Sequence, residues 1–275
     1  MKTAHSSTPR KIALIGFGSI AQDVLTGLKQ VDPFPTDCAV VLRPDSGSRR
    51  NVPKGVAMLS TLDELLTWGP SLVIEAAGQD AARENIPALL EHGIDVLITS
   101  VGALADNTTY AAMVNAARKG QCRLIIPAGA VASLDYLGAL GNITPVSVVY
   151  ESRKPVAAWR EELRALGIDP DTLDEEVELF AGSANEAALR YPKNLNVAAT
   201  LALAGVGMAQ TRVRVVVDPR AAGNQHRVTV QSALGTLETT LVNNPSPGNP
   251  KTSWIVSQSV IHAVRRQFAT VLIGG

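Results

Sequence analysis

From Lys11 onward, short apolar runs alternate with segments whose apolar residues recur at helical spacing. Lys11 to Ile15, Cys38 to Leu42, Leu72 to Ala76, Asp95 to Thr99 and Arg123 to Ile126 are short and rich in Val, Ile and Leu. They predict strands buried on both faces. Between them, Ile20 to Lys29, Thr61 to Leu66, Ala81 to Glu91 and Thr108 to Lys119 predict helices, with Gly93 and Gly120 as C-terminal caps. Five strands joined by four crossovers predict an α/β doubly wound parallel sheet over residues 11–133.

The rhythm changes after Leu134. Val146 to Tyr150, Glu176 to Gly182, Arg212 to Asp218, His226 to Ser232 and Thr236 to Val242 predict strands, the later ones separated by short turns. A second α+β domain with a mixed or antiparallel sheet follows, over residues 134–250. Asn243 to Pro250 is rich in loop formers, and Ser253 opens an amphipathic helix in 251–275 that is expected to pack back on the first domain. The apolar stretch Leu195 to Ala209 is interrupted by Gly205 and Gly207 and is shorter than the ~18 to 20 residues of a membrane span, so it predicts a buried helix. Residues 1–10 are polar and read as a flexible tail without a secretory signal.

Composition narrows the class of partner. With 46% hydrophobic and 18% charged residues in 275, the chain can bury a core in each of two domains. Lys plus Arg and Asp plus Glu balance at 25 each, which argues against nucleic acid or an anionic membrane as partner and for a small molecule. Cys38 and Cys122 match no metal-ligand spacing, so no metal site is expected and the compartment reads as reducing and cytoplasmic.

The first chemical signal is Ile12-Ala13-Leu14-Ile15-Gly16-Phe17-Gly18-Ser19-Ile20-Ala21, a buried strand entering a Gly-x-Gly-x-x-Ala turn and then a helix. In such a turn Gly16 permits the tight bend and Gly18 lets a pyrophosphate approach the backbone. The helix start at Ser19 and Ile20 offers free N–H groups to the phosphates. This predicts a Rossmann-type site for NAD or NADP. An NAD-selective site usually carries an acid about 20 residues further on, at the end of the second strand. Here that position is Arg43, suited to adenine or a 2′-phosphate, while Asp45 comes late and after a proline. Ala77, Ser100 and Ala130 fall after later strands at the same sheet edge, and are expected to face the cofactor.

Of the four histidines, His5 lies in the tail, His92 at a helix end and His262 on the C-terminal helix. His226 follows the turn-rich loop Asp218 to Gln225 and is the candidate catalytic group. An imidazole with an ordinary pKa of about 6.5 could both accept and donate a proton near neutral pH. Tyr191-Pro192-Lys193-Asn194-Leu195-Asn196 precedes the apolar helix. Asn194 suits its N-cap, and the mouth of that helix could accept an anion or amide.

The Gly16-Phe17-Gly18-Ser19-Ile20 turn, Pro127-Ala128-Gly129-Ala130 followed by Leu134-Asp135, Pro192-Lys193-Asn194-Leu195-Asn196-Val197-Ala198-Ala199, and Asp218-Pro219 leading to His226 together resemble the L-aspartate dehydrogenase family. The resemblance implies oxidation of L-aspartate to iminoaspartate, then oxaloacetate and ammonia, with either nicotinamide cofactor, in support of NAD biosynthesis. It implies that His226 is the active-site histidine, that Ala130 and Asn196 contact the cofactor, and that the second domain forms a homodimer. Lys193 departs from the common run and, with Asn194, is a candidate for the substrate carboxylate. Two other readings fit the plan less well. A dihydrodipicolinate reductase would need paired histidines followed by lysine, which are missing, and a nucleotide-sensing regulator would have no use for His226 and Asn196.

Overall fold

The computed structural model describes residues 11–30, 37–191, 196–247 and 249–274. They form two compact units: the chain up to Pro127 together with Val260–Arg265, and Ala128–Ser259 with Arg266–Gly275.

In the first unit the chain runs β1 (Lys11–Ile15), α1 (Ser19–Leu28), β2 (Asp37–Val41), β3 (Ala57–Leu59), α2 (Leu62–Trp68), β4 (Leu72–Glu75), α3 (Gln79–Glu91), β5 (Asp95–Ile98), α4 (Asn107–Gly120) and β6 (Leu124–Ile125). The strands pair in parallel in the order β3-β2-β1-β4-β5-β6. Ile12, Ala13, Leu14, Val73, Ile74, Val96 and Leu97 are fully buried, as strands covered on both faces require. The order reverses between β1 and β4, the position where sheets of this kind bind ligands at their carboxyl ends.

This sheet has one strand more than the five that the pattern predicts. β3 is only Ala57-Met58-Leu59, with no β-branched residue and Met58 exposed, so it shows no usable period. Gly93 takes the left-handed conformation (φ +77°) that a residue just past α3 needs. Gly120 has a different reason from the predicted cap. Gln121 turns left-handed instead (φ +52°), and a Cβ on Gly120 would stand 1.8 Å from the Leu90 carbonyl oxygen. Glycine there lets the ends of α3 and α4 approach.

The second unit contains α5 (Leu134–Ala139), β7 (Val146–Lys154), α6 (Arg160–Ala165), β8 (Val177–Ser183), α7 (Ala184–Arg190), α8 (Asn196–Ala204), β9 (Arg212–Val217), β10 (Asn224–Ser232), β11 (Gly235–Asn243), β12 (Pro245–Ser246), β13 (Asn249–Ser253) and the two ends of α9 (Ile255–Arg266). Its main sheet has the order β11-β10-β7-β9-β8, mixed because β7 and β9 run parallel while the other neighbours are antiparallel. The segment Val260–Arg265 of α9 counts with the first unit, where a Cβ on Gly27 would come 2.3 Å from Ile261 Cδ1.

Several elements differ from expectation. Asn243 to Pro250 is not a plain loop, since β12 and β13 pair there as a short ribbon, and α9 begins at Ile255 because Ser253 still belongs to β13. The apolar helix spans Asn196–Ala204, ending before the two glycines. The helices α5, α6 and α7 are six or seven residues long, too short to display a 3.6-residue period. β7 continues to Lys154, four residues past its predicted end at Tyr150. That extension matters most. It alternates Tyr150, Ser152 and Lys154 onto the buried face, level with Asn224 and His226 of β10. Glu151 and Arg153 take the other face, where Arg153 pairs with Asp218 at 3.0 Å and Arg214 pairs with Glu151 and Glu178, each at 2.8 Å. Among the described residues no helix is long and apolar enough to cross a membrane.

Candidate active site

At the carboxyl end of β1, Gly16 takes φ +87°, a conformation that disfavours any side chain, and an added Cβ would meet Ala76 O and Ala77 Cβ, both at 2.8 Å. The turn after β1 therefore touches the loop after β4. Gly18 is unlike Gly16. Its φ of −77° and ψ of −171° are ordinary extended values, and an added Cβ would meet nothing within 4 Å. Neither backbone nor packing requires glycine there. Gly18 is the N-cap of α1 and offers no capping side chain, so Ser19 and Ile20 open the helix without a side-chain cap. The Gln22 amide holds the turn from behind by donating to Phe17 O at 3.0 Å. An open space over a glycine at an uncapped helix start fits a pyrophosphate.

Glu75, the last residue of β4, is fully buried and was not among the residues expected at the site. Its Oε1 accepts from Ala77 N at 2.8 Å, Gly78 N at 2.9 Å and Ser100 Oγ at 2.9 Å, and its Oε2 accepts from Ser100 N at 3.1 Å. One carboxylate thus ties together the loops after β4 and β5. The signal was legible in Leu-Val-Ile-Glu: a charge closing a strand buried on both faces needs several donors to be tolerated. Ser100 is buried and spends its hydroxyl proton on Glu75, so it supports the edge rather than offering a free donor. Ala77 is exposed, next to Gly16.

Arg43 is exposed, just past β2, in a turn closed by Ser46 N donating to Arg43 O at 3.0 Å. Asp45 is exposed in the same turn. Sequence reasoning passed over Arg49 and Arg50. The Arg49 guanidinium donates to Leu42 O at 2.9 Å and Ser60 Oγ at 3.2 Å, fixing the loop, while Arg50 is exposed.

In the second unit His226 is 3% exposed. Its Nδ1 lies 2.8 Å from Tyr150 Oη, and its Nε2 is buried with no hydrogen-bond partner among the described residues. Native interiors seldom leave such an atom unpaired. Burial, reinforced by the positive charge of Lys154, pushes the imidazole down to about 4. Burial likewise raises the Tyr150 phenol well above its usual value, so it stays protonated. Lys154 is 8% exposed, and its Nζ stands 5.5 Å from the centre of the Trp159 ring. Burial pushes that ammonium down to about 8, against some support from Glu162. Below that pH the fold carries a charge disfavoured by roughly 3 kcal/mol relative to the unfolded chain. The penalty fades as pH rises from about 8 toward 10.5. Two further buried polar atoms lie on these residues' neighbours. Trp159 Nε1 has no partner, and Ser152 Oγ, close enough to the phenol to ease its ionisation, makes no hydrogen bond of proper geometry.

Of the remaining expected site residues, Ala130 is buried in the second unit and its carbonyl accepts from Asn243 Nδ2 at 2.8 Å, while Gly129 N donates to Ser259 Oγ at 2.8 Å. Asn196 is the first residue of α8, and its carbonyl accepts from Thr200 Oγ1 at 3.0 Å. Lys193 and Asn194 lie outside the described residues, as does His5. His92 is exposed just past α3, and His262 is exposed on α9, both away from these groups in sequence.

A parallel sheet whose first strand runs through a glycine-rich turn into an uncapped helix start, followed in the chain by a second unit built on a mixed sheet, places the protein among the nicotinamide-dependent dehydrogenases. Residues 16–127 match the homoserine dehydrogenase NAD-binding domain, and residues 135–267 match the aspartate dehydrogenase C-terminal domain. The chain is 54% identical to L-aspartate dehydrogenase 2 of Bordetella bronchiseptica, over 96% of its own length and 99% of that protein's. It is 41% identical to an L-aspartate dehydrogenase of Methanosarcina barkeri, over 78% of this chain and 79% of the other. The crystal structure of aspartate dehydrogenase from Thermotoga maritima superposes with a TM-score of 0.71 at 25% identity, covering 96% of this chain and 99% of that one. The chain belongs to the L-aspartate dehydrogenase family.

Proposed function

We propose that the protein oxidises L-aspartate at Cα to iminoaspartate, which either supplies NAD biosynthesis or is converted by water to oxaloacetate and ammonia. The observation that carries this reading is the buried Nε2 of His226, a proton-transfer atom with no hydrogen-bond partner among the described residues. NAD or NADP, when bound, takes up the hydride that leaves Cα. Gly16, Gly18, Ser19 and Ile20 are assigned to the pyrophosphate, and Ala77, Ala130 and Asn196 to the rest of the cofactor. Ser100 is assigned to the same edge through Glu75.

The chain's own residues handle the protons. With Nδ1–H donating to Tyr150, Nε2 carries the lone pair and can take a proton from the substrate amine or from the attacking water. Taking that proton makes the ring an imidazolium, with Nδ1–H still donating to Tyr150, and the imidazolium returns the proton from Nε2 in the reductive direction. Tyr150 thus holds Nδ1–H in both protonation states. The proposal includes a homodimer, supported by family resemblance alone, and a reducing, cytoplasmic compartment, supported by the unpaired thiols of Cys38 and Cys122.

Production of NADH or NADPH with L-aspartate, measured against L-glutamate, L-alanine and L-homoserine, tests the reading. Absence of aspartate turnover, or equal turnover of all four, would sink it. Because Arg43 is exposed where an acid would select NAD, both cofactors are expected to work within about one order of magnitude. Arg43→Ala should then weaken kcat/KM for NADP more than for NAD. Equal losses would remove Arg43 from the 2′-phosphate.

A further inference from the structure

Lys154 stands at the end of β7 on the buried face, and among the described residues no carboxylate lies within ion-pair distance of it. The contrast with its neighbour is sharp: on the opposite face Arg153 is surrounded by Glu151, Glu176 and Asp218. Glu162 is felt by Lys154 electrostatically but forms no ion pair with it. A structural lysine in an interior is normally matched by a carboxylate, because an ammonium removed from water without one is strongly disfavoured. Here the Trp159 ring accounts for one side of the ammonium, at 5.5 Å. The indole N–H of Trp159 is itself buried and unpaired. The charge of Lys154 also depresses His226, so the ammonium and the imidazole lie within electrostatic reach of each other.

We propose that Lys154 is the cation that receives a carboxylate of the substrate, with the Trp159 indole N–H as a second donor and Ser152 available as a third. A carboxylate has the complementary need, two oxygens that accept several hydrogen bonds and a negative charge that offsets the ammonium. Binding it completes donors that the free protein leaves unmatched. It also puts a dicarboxylic amino acid near the unpaired nitrogen of His226, where an amino acid with an uncharged side chain has one anion fewer to offer. The role is one of substrate recognition and rests on the aspartate reading above.

The test uses the full-length enzyme with Lys154→Met and Lys154→Gln as neutral variants and Lys154→Arg as the charge-retaining one. KM for L-aspartate is expected to rise on the order of 30-fold to 1000-fold in the neutral variants, as for removal of one partner of a buried charged contact, and less in Lys154→Arg. NADH affinity should stay within about threefold, and the melting temperature should hold or rise, because an unmatched buried charge has been removed. Succinate, which cannot be oxidised at an amine, should raise the melting temperature of the NADH-bound wild type and not of the neutral variants. If the neutral variants keep the wild-type KM and the succinate shift, Lys154 does not hold a carboxylate, whatever the wild type's activity. If the wild type fails to turn over L-aspartate but loses its succinate shift on Lys154→Met, the aspartate reading falls and the carboxylate site stands. Should Lys154→Met not fold, Lys154→Gln and Lys154→Arg give the same comparison.

Discussion

Replacing His226 by alanine is expected to lower kcat for L-aspartate by ~10² to 10⁴ while NADH binding stays within about threefold. The imidazole sits on β10 in the second unit, and the turn proposed to hold the pyrophosphate, Gly16 to Ile20, lies in the first, so a loss confined to turnover is the signature of proton transfer. His226→Asn retains a hydrogen bond to Tyr150 without proton transfer and should remain close to His226→Ala in rate. Steady-state kinetics alongside fluorescence titration with NADH decide the matter. Retention of most turnover, or equal loss of turnover and NADH affinity, would leave His226 a structural residue.

The pH dependence follows with a correction to the expectation from an ordinary histidine. An imidazole near 6.5 would change charge in the middle of the working range, but His226 is held at about 4 by burial and Lys154. In the free enzyme it is therefore already a neutral base at every pH above about 5. The amine of aspartate must lose its proton before hydride can leave Cα, since an ammonium opposes the positive charge that grows there. The rise of kcat/KM for oxidation with pH is accordingly assigned to the substrate amine, and no limb belonging to His226 is expected between about pH 6 and 7. The reductive direction needs a proton on Nε2. That proton makes the ring an imidazolium, with Nδ1–H still donating to Tyr150, so the reductive rate is expected to rise as pH falls toward the range in which His226 protonates.

The Rossmann half was legible in the sequence because its strands are buried on both faces, with β1, β4 and β5 mostly Val, Ile and Leu, and because α1, α3 and α4 run to 10, 13 and 14 residues. The second unit was legible as strands but not as a site. β7 reads Val-Ser-Val-Val-Tyr-Glu-Ser-Arg-Lys, and its polar end looks like a chain leaving the sheet. The strand continues because Glu151 and Arg153 find ion-pair partners on the outer face, which sends Ser152 and Lys154 inward. A charged residue at alternating positions carries opposite meanings on the two faces, and only the pairing with β9 and β10 separates them. Glu75 was passed over for a related reason. A charge closing a buried strand shows that donors are needed, but not where they come from: Ala77 and Gly78 are local, whereas Ser100 reaches Glu75 across 25 residues of sequence and leaves no local pattern.

Gly18→Val is expected to raise the Kd for NADH on the order of 100-fold, about 2.7 kcal/mol, with little change in melting temperature. The two glycines of the turn serve different ends. Gly16 is needed by the fold, since its φ of +87° and the 2.8 Å approach of Ala76 O and Ala77 leave no place for a side chain. Gly18 has an ordinary extended backbone and open space where a Cβ would be, so valine there disturbs no neighbour within 4 Å. The local cost is a poorer N-cap, roughly 0.5 to 1 kcal/mol for the step from glycine to an apolar residue. What valine does occupy is the approach to the first N–H groups of α1, where a pyrophosphate needs contact with the backbone itself. Calorimetric titration with NADH, paired with a thermal melt, separates these contributions. A stable variant with unchanged affinity would remove the turn from the cofactor site. A large fall in melting temperature would show instead that Gly18, like Gly16, is held by the fold.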